Sequence, residues 1–218
     1  MLLGKLWNNY KEKRLKKRLG YCGKDNNILQ PFYTGMPQNI FLDDYTLIQP
    51  LCNFIIAGGK VVIKKWTSLS FGCTVVTGNH VPTVGINQRV LERFHINDKE
   101  EDVLIDEDCW IGTGATLLSG THLRRGCVVG AKTLVNKDYP PYSVIVGVPG
   151  RVIVSKFSID EIIEHEKKLY PEQERFSRKS LEDIFDKHFV GKKSIGLTTI
   201  SEKDRKILEI NKDMQYRI

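Results

Sequence analysis

Six residues separate Ile105, Ile111, Leu117, Leu123, Val129 and Val135, and every position in that series is a branched aliphatic. An α-helix would return an apolar residue every 3.6 positions and a half-buried strand every second one, so neither explains the interval. A second column runs four residues later: Cys109, Ala115, Thr121, Cys127 and Thr133, all small. Polar residues or glycine lie between the columns. The same template fits Leu42, Ile48 and Phe54, and then Ile63, Leu69 and Val75, with a three-residue insertion around Ala57–Gly59. One large and one small inward residue per six suits a short strand followed by a tight corner. Three such units close a triangular coil of 18 residues. Coils stacked at the strand spacing of about 4.8 Å bury a continuous aliphatic column. The spacing predicts a parallel β-helix and does not set its hand. Cys52, Cys73, Cys109 and Cys127 fall in the small column, where a thiol is a compact apolar filler.

Between Val75 and Ile105 the period lapses into a polar excursion, yet it resumes in phase, because the gap of 30 is a multiple of six. A long loop leaving a regular scaffold is where binding or chemistry tends to sit. His80 stands where this loop opens, in a Gly78-Asn79-His80 corner. His95 lies further along. Three divisions follow: a basic, helical arm over 1–30, a β-helix over 31–154 carrying the loop 78–104, and a helical tail over 155–218. In the tail, Ser158-x-x-Glu161 reads as a capping box opening a helix that Pro171 ends, with further helices near 180–189 and 202–212. The net charge of +7 is concentrated in the arm. Residues 1–20 hold seven bases and one acid, so the body is close to neutral and the basic charge is weak evidence for a nucleic-acid-binding fold; no nucleic-acid partner is expected. Leu3, Leu6, Trp7 and Tyr10 form one face of the arm. It is expected to pack on the body or a neighbouring subunit, with contact to an anionic membrane surface as the alternative and nucleic acid as a third, lesser one. No apolar run is long enough to span a bilayer. Five scattered cysteines without a CxxC pair suit a reduced, cytoplasmic setting.

The hexapeptide columns, the segment TGNHVP at 77–82 and the run DCWIGTGATLLSGTHLRRGCVVGAKTLVNKDYPPYSVIVGVPGRVI at 108–153 together resemble the hexapeptide-repeat acyltransferases. Within them the chain is most similar to sugar and polysaccharide O-acetyltransferases related to the maltose and galactoside enzymes. The resemblance spans roughly residues 40–170. It implies a mainly β fold, a left-handed parallel β-helix of hexapeptide repeats with an extruded loop and N- and C-terminal helices. It further implies a homotrimer with acetyl-CoA as donor and active sites between subunits. The family's catalytic histidine falls on His80, its acceptor-holding asparagine on Asn53, and its site tryptophan on Trp110. Its CoA-contacting positions fall on Thr113, Ala131, Asn136, Lys137 and Arg151. Lys132 departs from the family's pattern and adds a charge beside the CoA path, whereas a second basic residue often found three after Arg151 is replaced by Val154. The maltose-type acceptor segment is absent, so no particular sugar carries over.

Acetyl transfer to a hydroxyl needs a base for the hydroxyl proton and donors for the tetrahedral oxyanion. A free imidazole, titrating near pH ~6.5, serves as that base and can return the proton to the leaving thiolate. No GxSxG elbow is present, so direct transfer is the simpler route. His80 is therefore the expected base, oriented by Asp98, Glu100 or a backbone carbonyl, with Asn79 and His95 as candidate acceptor contacts. Lys132, Lys137 and Arg151 are expected to meet CoA phosphates, with Arg124 and Arg125 as outer candidates. His80, His95 and His122 are too widely spaced for a zinc set, so no catalytic metal is expected. The function expected is O-acetylation of a sugar or glycan precursor. The alternatives are a xenobiotic O-acetyltransferase or a non-catalytic β-helix scaffold.

Overall fold

A computed structural model describes residues 2–211, without the side chains of Leu2 and Leu3. The side chain of Leu3, on the arm's expected apolar face, and residue 212 of the last expected helix therefore lie outside the described set. The aliphatic column folds as its period requires. Three parallel sheets form the faces of a prism of about six coils. The first face stacks Tyr21–Cys22, Ile40–Leu42, Val61–Ile63, Val103–Ile105, His122–Leu123 and Asp138–Tyr139. The second stacks Asn27–Ile28, Leu47–Ile48, Ser68–Leu69, Trp110–Ile111, Val128–Val129 and Ser143–Val146. The third stacks Tyr33–Thr34, Asn53–Ile55, Thr74–Val76, Thr116–Leu117 and Leu134–Val135. The in-phase restart after the excursion is real: Ile63 pairs with Ile105, Leu69 with Ile111 and Val75 with Leu117. The insertion at 57–59 is absorbed at a corner, since Leu42 still pairs with Ile63.

Corners repeat a backbone device. Three residues after each inward residue, at the edge between the first and second faces, the chain turns through the left-handed region at Asp25, Tyr45, Trp66, Asp108 and Gly126. Most of these residues carry a Cβ, and a left-handed residue costs roughly 1–2 kcal/mol. Stacked hydrogen bonds between coils offset that cost, such as Trp66 N–H to Asp44 O and Asp108 N–H to Lys65 O.

The prism starts earlier than the sequence reading placed it. Residues 21–34 form a complete coil, so the boundary at 31 is corrected to 21. Its inward positions are Cys22, Ile28 and Thr34. Only one of them is a branched aliphatic, and an eight-residue step then leads to Leu42, which hid the period. Asn26 identifies the coil chemically. It is buried, and its side-chain oxygen accepts both from the Thr46 backbone N–H and from the Thr46 hydroxyl, each at 2.7 Å.

Helix α1 (Leu2–Lys16) lies against this first coil. The excursion is not a structureless loop. Gly78–His80 pairs antiparallel with Asp98–Glu100, and a short helix α2 (Gln88–Phe94) lies between them, capped by Asn87 and anchored by buried Leu91. At the far end Arg151–Ser155 turns back antiparallel on Ser143–Val146. Helix α3 (Ile159–Leu169) opens with the expected capping box, Ser158 and Glu161 each bonding the other's backbone N–H. Helices α4 (Arg178–His188) and α5 (Glu202–Ile210) follow. No described helix is long and apolar enough to cross a membrane.

Leu117 is fully buried between Val75 and Val135. Its replacement by alanine removes the atoms bridging two coils in a core that cannot collapse sideways. Leu117→Ala is expected to cost about 2–5 kcal/mol, read as a lower urea midpoint in equilibrium unfolding.

Candidate active site

The excursion leaves the prism at the edge between the third and first faces, immediately after Thr74–Val76. Its roots are pinned by Ser119 on the next coil. The Ser119 hydroxyl donates to Thr77 O at 2.8 Å and accepts from Glu101 N–H at 3.1 Å. Above these roots, the pairing register sets His80 directly across from Asp98. His80 Nδ1 lies 2.7 Å from Asp98 Oδ1, and His95 Nδ1 lies 2.8 Å from Asp98 Oδ2. Of the orienting groups considered for His80, the structure selects Asp98.

A carboxylate only accepts, so each imidazole donates its Nδ1–H, and in the neutral ring Nε2 keeps a lone pair. These two bonds, the one from His80 first, hold the Asp98 carboxyl below the ordinary carboxylate range. Asp98 is therefore ionised at neutral pH and stays so under mild acid. Its side chain is 11% exposed, while those of His80 and His95 are 41% and 69% exposed. The acid is sheltered and both rings face solvent. The ring centroids stand 6.3 Å apart. His95 gains its position from a left-handed residue at the C-terminal cap of α2, with φ of 51°.

Asn79 is exposed on the same hairpin strand as His80, paired with Lys99. Asn136 and Lys137 are exposed where the chain passes from the third to the first face, on the same edge as the hairpin's roots. The remaining expected contacts lie elsewhere. Thr113, Ala131 and Lys132 are exposed on the edge between the second and third faces. Lys132 turns through φ of 60°, its N–H bonds Thr113 O at 2.9 Å, and its side chain runs down over Gly114. A Cβ at Gly114 would meet Lys132 Nζ at 2.7 Å. Trp110 projects from the second face between Ser68 and Val128, 53% exposed. Arg151 is exposed where the chain turns back along that face. Asn53 lies on the third face between Tyr33 and Thr74. A prism face is about five extended residues wide, on the order of 15 Å. One chain therefore holds the imidazole pair on one edge and the Thr113–Lys132 group on another, and does not bring them together.

The outer candidates Arg124 and Arg125 are engaged within the fold. Arg124 pairs with Asp138 through two hydrogen bonds, at 3.0 and 2.8 Å. Arg125 meets Glu107 at 3.3 Å and Glu166 at 3.1 Å, and stacks on the Tyr170 ring at 4.0 Å. Beside them the Tyr142 hydroxyl donates to Glu166 at 2.9 Å, and burial, more than the nearby charge, pushes its titration far up. This cluster seats α3 on the prism. Among the described residues no three His, Cys, Asp or Glu side chains are grouped to hold a metal ion.

The sequence alone leaves Asp98, Glu100 and a backbone carbonyl equally open as partners of His80. The bond depends on an antiparallel register across 18 residues with a helix inserted, and nothing local announces it.

A stacked prism of six-residue rungs, with a histidine-bearing hairpin extruded from one edge, defines a class of protein with known members. No family model matches the sequence. The chain is 34% identical over 166 residues to a probable macrolide acetyltransferase of Lysinibacillus sphaericus, covering 71% of this chain and 89% of that protein. It is 41% identical over 61 residues to a chloramphenicol acetyltransferase of Morganella morganii, a match spanning 28% of this chain and only 29% of that relative's length. Among solved structures, a maltose O-acetyltransferase from Clostridium difficile superposes with a TM-score of 0.60 at 27% identity, covering 71% of this chain and 82% of that one. A hexapeptide-repeat acetyltransferase from Vibrio cholerae, complexed with acetyl coenzyme A, shares the fold with a TM-score of 0.61 at 21% identity, covering 69% and 78%. This chain belongs to the hexapeptide-repeat acetyltransferases.

Proposed function

We propose that the protein transfers the acetyl group of acetyl-CoA to a hydroxyl of a sugar or glycan precursor, with His80 as general base. The observation that carries this reading is the Asp98–His80 bond, which leaves His80 Nε2 free at the mouth of an extruded hairpin. As the acceptor oxygen attacks the thioester carbonyl, Nε2 takes the hydroxyl proton and the imidazolium is stabilised by Asp98. The tetrahedral intermediate then expels the thiolate, which recovers that proton, so CoA thiol and an acetyl ester leave. Backbone N–H groups at the coil corners are the expected oxyanion donors.

The site is proposed to form between copies in a homotrimer. Tyr33 and Ile55 on the third face, and Leu51 and Phe71 on its edge, are each about half exposed, an apolar surface that a second copy would cover. Such packing sets the Thr113, Ala131 and Lys132 edge of one copy beside the His80 edge of the next. Thr113 and Ala131 would then flank the pantetheine arm, Lys132, Lys137 and Arg151 would meet the phosphates, Trp110 would wall the donor, and Asn53, Asn79 and His95 would hold the acceptor. Free thiols at all five cysteines suit work in the cytoplasm.

A drug hydroxyl is the second reading for the acceptor, favoured by the macrolide relative. Purified full-length protein incubated with acetyl-CoA and separate panels of simple sugars, nucleotide sugars, macrolides and chloramphenicol decides between them. Thiol release above the acceptor-free rate is expected with sugar hydroxyls. Release with drugs alone would remove the glycan reading. No release with any panel, and no acetyl-CoA binding, would leave a scaffold.

A further inference from the structure

Helix α1 closes the open end of the prism, and its packing dictates what its other side displays. In the first coil, Asn27 and Leu29 direct their N–H groups up to Thr46 O and Ile48 O of the next coil. The Ile28 N–H must then point the other way, out of the prism's end, because alternate residues of a strand face opposite neighbours. Glu12 of α1 accepts it at 3.0 Å. Lys16, paired with Glu12 at 2.7 Å, donates to Asn26 O beside it. Leu15 and Leu19 pack onto the core. The helix thus lies across the base of the prism, capping an otherwise unpaired strand edge.

Winding at about 100° per residue, Glu12, Leu15 and Lys16 gather on one side of the helix, and Leu19 follows just past its end. The opposite side carries Leu6, Trp7 and Tyr10, followed along the same line by Lys13, Arg14 and Lys17. All six are exposed, the three apolar ones by 57%, 57% and 53%. Trp7 and Tyr10 stack with ring centroids 5.6 Å apart. Tyr10, Lys13, Arg14, Lys16 and Lys17 together line a concavity of about 520 Å³. The outward face is therefore aromatic in its first half and cationic in its second, and it looks away from the coils.

We propose that this outward face of α1 seats the protein on an anionic membrane surface, with Trp7 and Tyr10 at headgroup depth and Lys13, Arg14 and Lys17 on lipid phosphates. Indole and phenol rings partition to the bilayer interface, where one end is apolar and the other wet. Lysine and arginine stems reach over acyl boundary while their charges meet anionic headgroups. A nucleic acid would use the three bases but gains little from Leu6 and a Trp7–Tyr10 pair stacked on each other. The apolar area is small, so attachment is reversible and salt-sensitive. This inference stands apart from the acetyl-transfer reading, since α1 holds none of the residues assigned to that chemistry.

The test is co-sedimentation of the full-length protein with two vesicle preparations, phosphatidylcholine alone and phosphatidylcholine mixed with phosphatidylglycerol, at about physiological salt. The protein is expected to pellet with the mixed vesicles and to stay in solution with the neutral ones. Each basic residue near an anionic surface contributes roughly five-fold. The variant Lys13→Gln, Arg14→Gln, Lys17→Gln is therefore expected to partition on the order of 100-fold more weakly. Trp7→Ala with Tyr10→Ala is expected to lose most of the binding as well. All five positions are exposed on the side away from the prism, so both variants are expected to keep the parent's circular dichroism and thermal midpoint. Equal pelleting with both vesicle types, pelleting with neither, or binding unchanged in the triple variant overturns the proposal. So does binding to a random-sequence RNA that the mixed vesicles fail to displace.

Discussion

Replacing His80 by alanine is expected to lower acetyl transfer by about 10³-fold, the middle of the range for loss of a positioned general base. That factor corresponds to about 4 kcal/mol of transition-state stabilisation. The imidazole stands on a hairpin outside the prism and is 41% exposed, so its loss removes no core packing. The melting temperature is therefore expected to stay within the error of a surface substitution. The KM for acetyl-CoA is expected to change little, because none of the proposed donor contacts involves the His80 side chain. Steady-state thiol release, with thermal unfolding as a control, reads all three. A loss under ten-fold in a well-folded variant would remove His80 from the chemistry.

Asp98→Asn is the second large effect, and it separates positioning from packing. The carboxylate accepts from both rings at once, His80 Nδ1 on one oxygen and His95 Nδ1 on the other. An asparagine has one accepting oxygen and one donating amide in the same space. Whichever ring meets the amide must turn its Nδ1 into an acceptor, which moves the proton to Nε2 and removes the free lone pair. The amide also carries no charge to stabilise an imidazolium at His80. A fall in kcat of about 10²-fold or more is expected, in line with the sensitivity of base-orienting carboxylates to amide replacement. The KM for acetyl-CoA and the unfolding midpoint are expected to remain at parental values. An equal loss of stability and activity would instead make Asp98 a hairpin staple.

The opposite case is the cluster of Asp108, Lys156 and His165 beneath α3. Asp108 Oδ2 lies 2.7 Å from Lys156 and 3.3 Å from His165. Burial raises this acid's titration, but the His165 bond and the Lys156 charge outweigh it and hold it below the usual range. Its contribution to folding is thus present above the ordinary carboxylate range and is lost as the pH falls through its lowered value. Perturbed acids therefore occur in both places. Only the hairpin couples one to solvent-facing imidazoles.

The prism was legible because its signal is repeated. From Leu42 onward each coil places a large apolar and a small residue at six-residue steps, so twelve positions from Leu42 to Val135 vote for one geometry and a 30-residue gap cannot disturb the phase. The first coil is hidden because Cys22 and Thr34 occupy two of its three inward positions, where later coils carry large apolar residues. Helix α2 escaped because it has only one buried residue, Leu91, and a stretch that short offers no periodic face. The same limits applied to the site. His80 stood out as the histidine at the mouth of the excursion, whereas its partner could be found only from a pairing register.

Local spacing by itself determined the triangular coils, the inward cysteines and the place where the chain leaves the scaffold, because every rung restates the same packing requirement. Tertiary structure alone decided three things. It set Asp98 between two imidazoles, drew Arg125 into the seat of α3, and laid α1 across the end of the prism with its aromatic and basic face turned outward. Each of these rests on a few contacts between distant segments. Such a contact has no repeat to announce it and exists only once the coils have fixed where both partners stand.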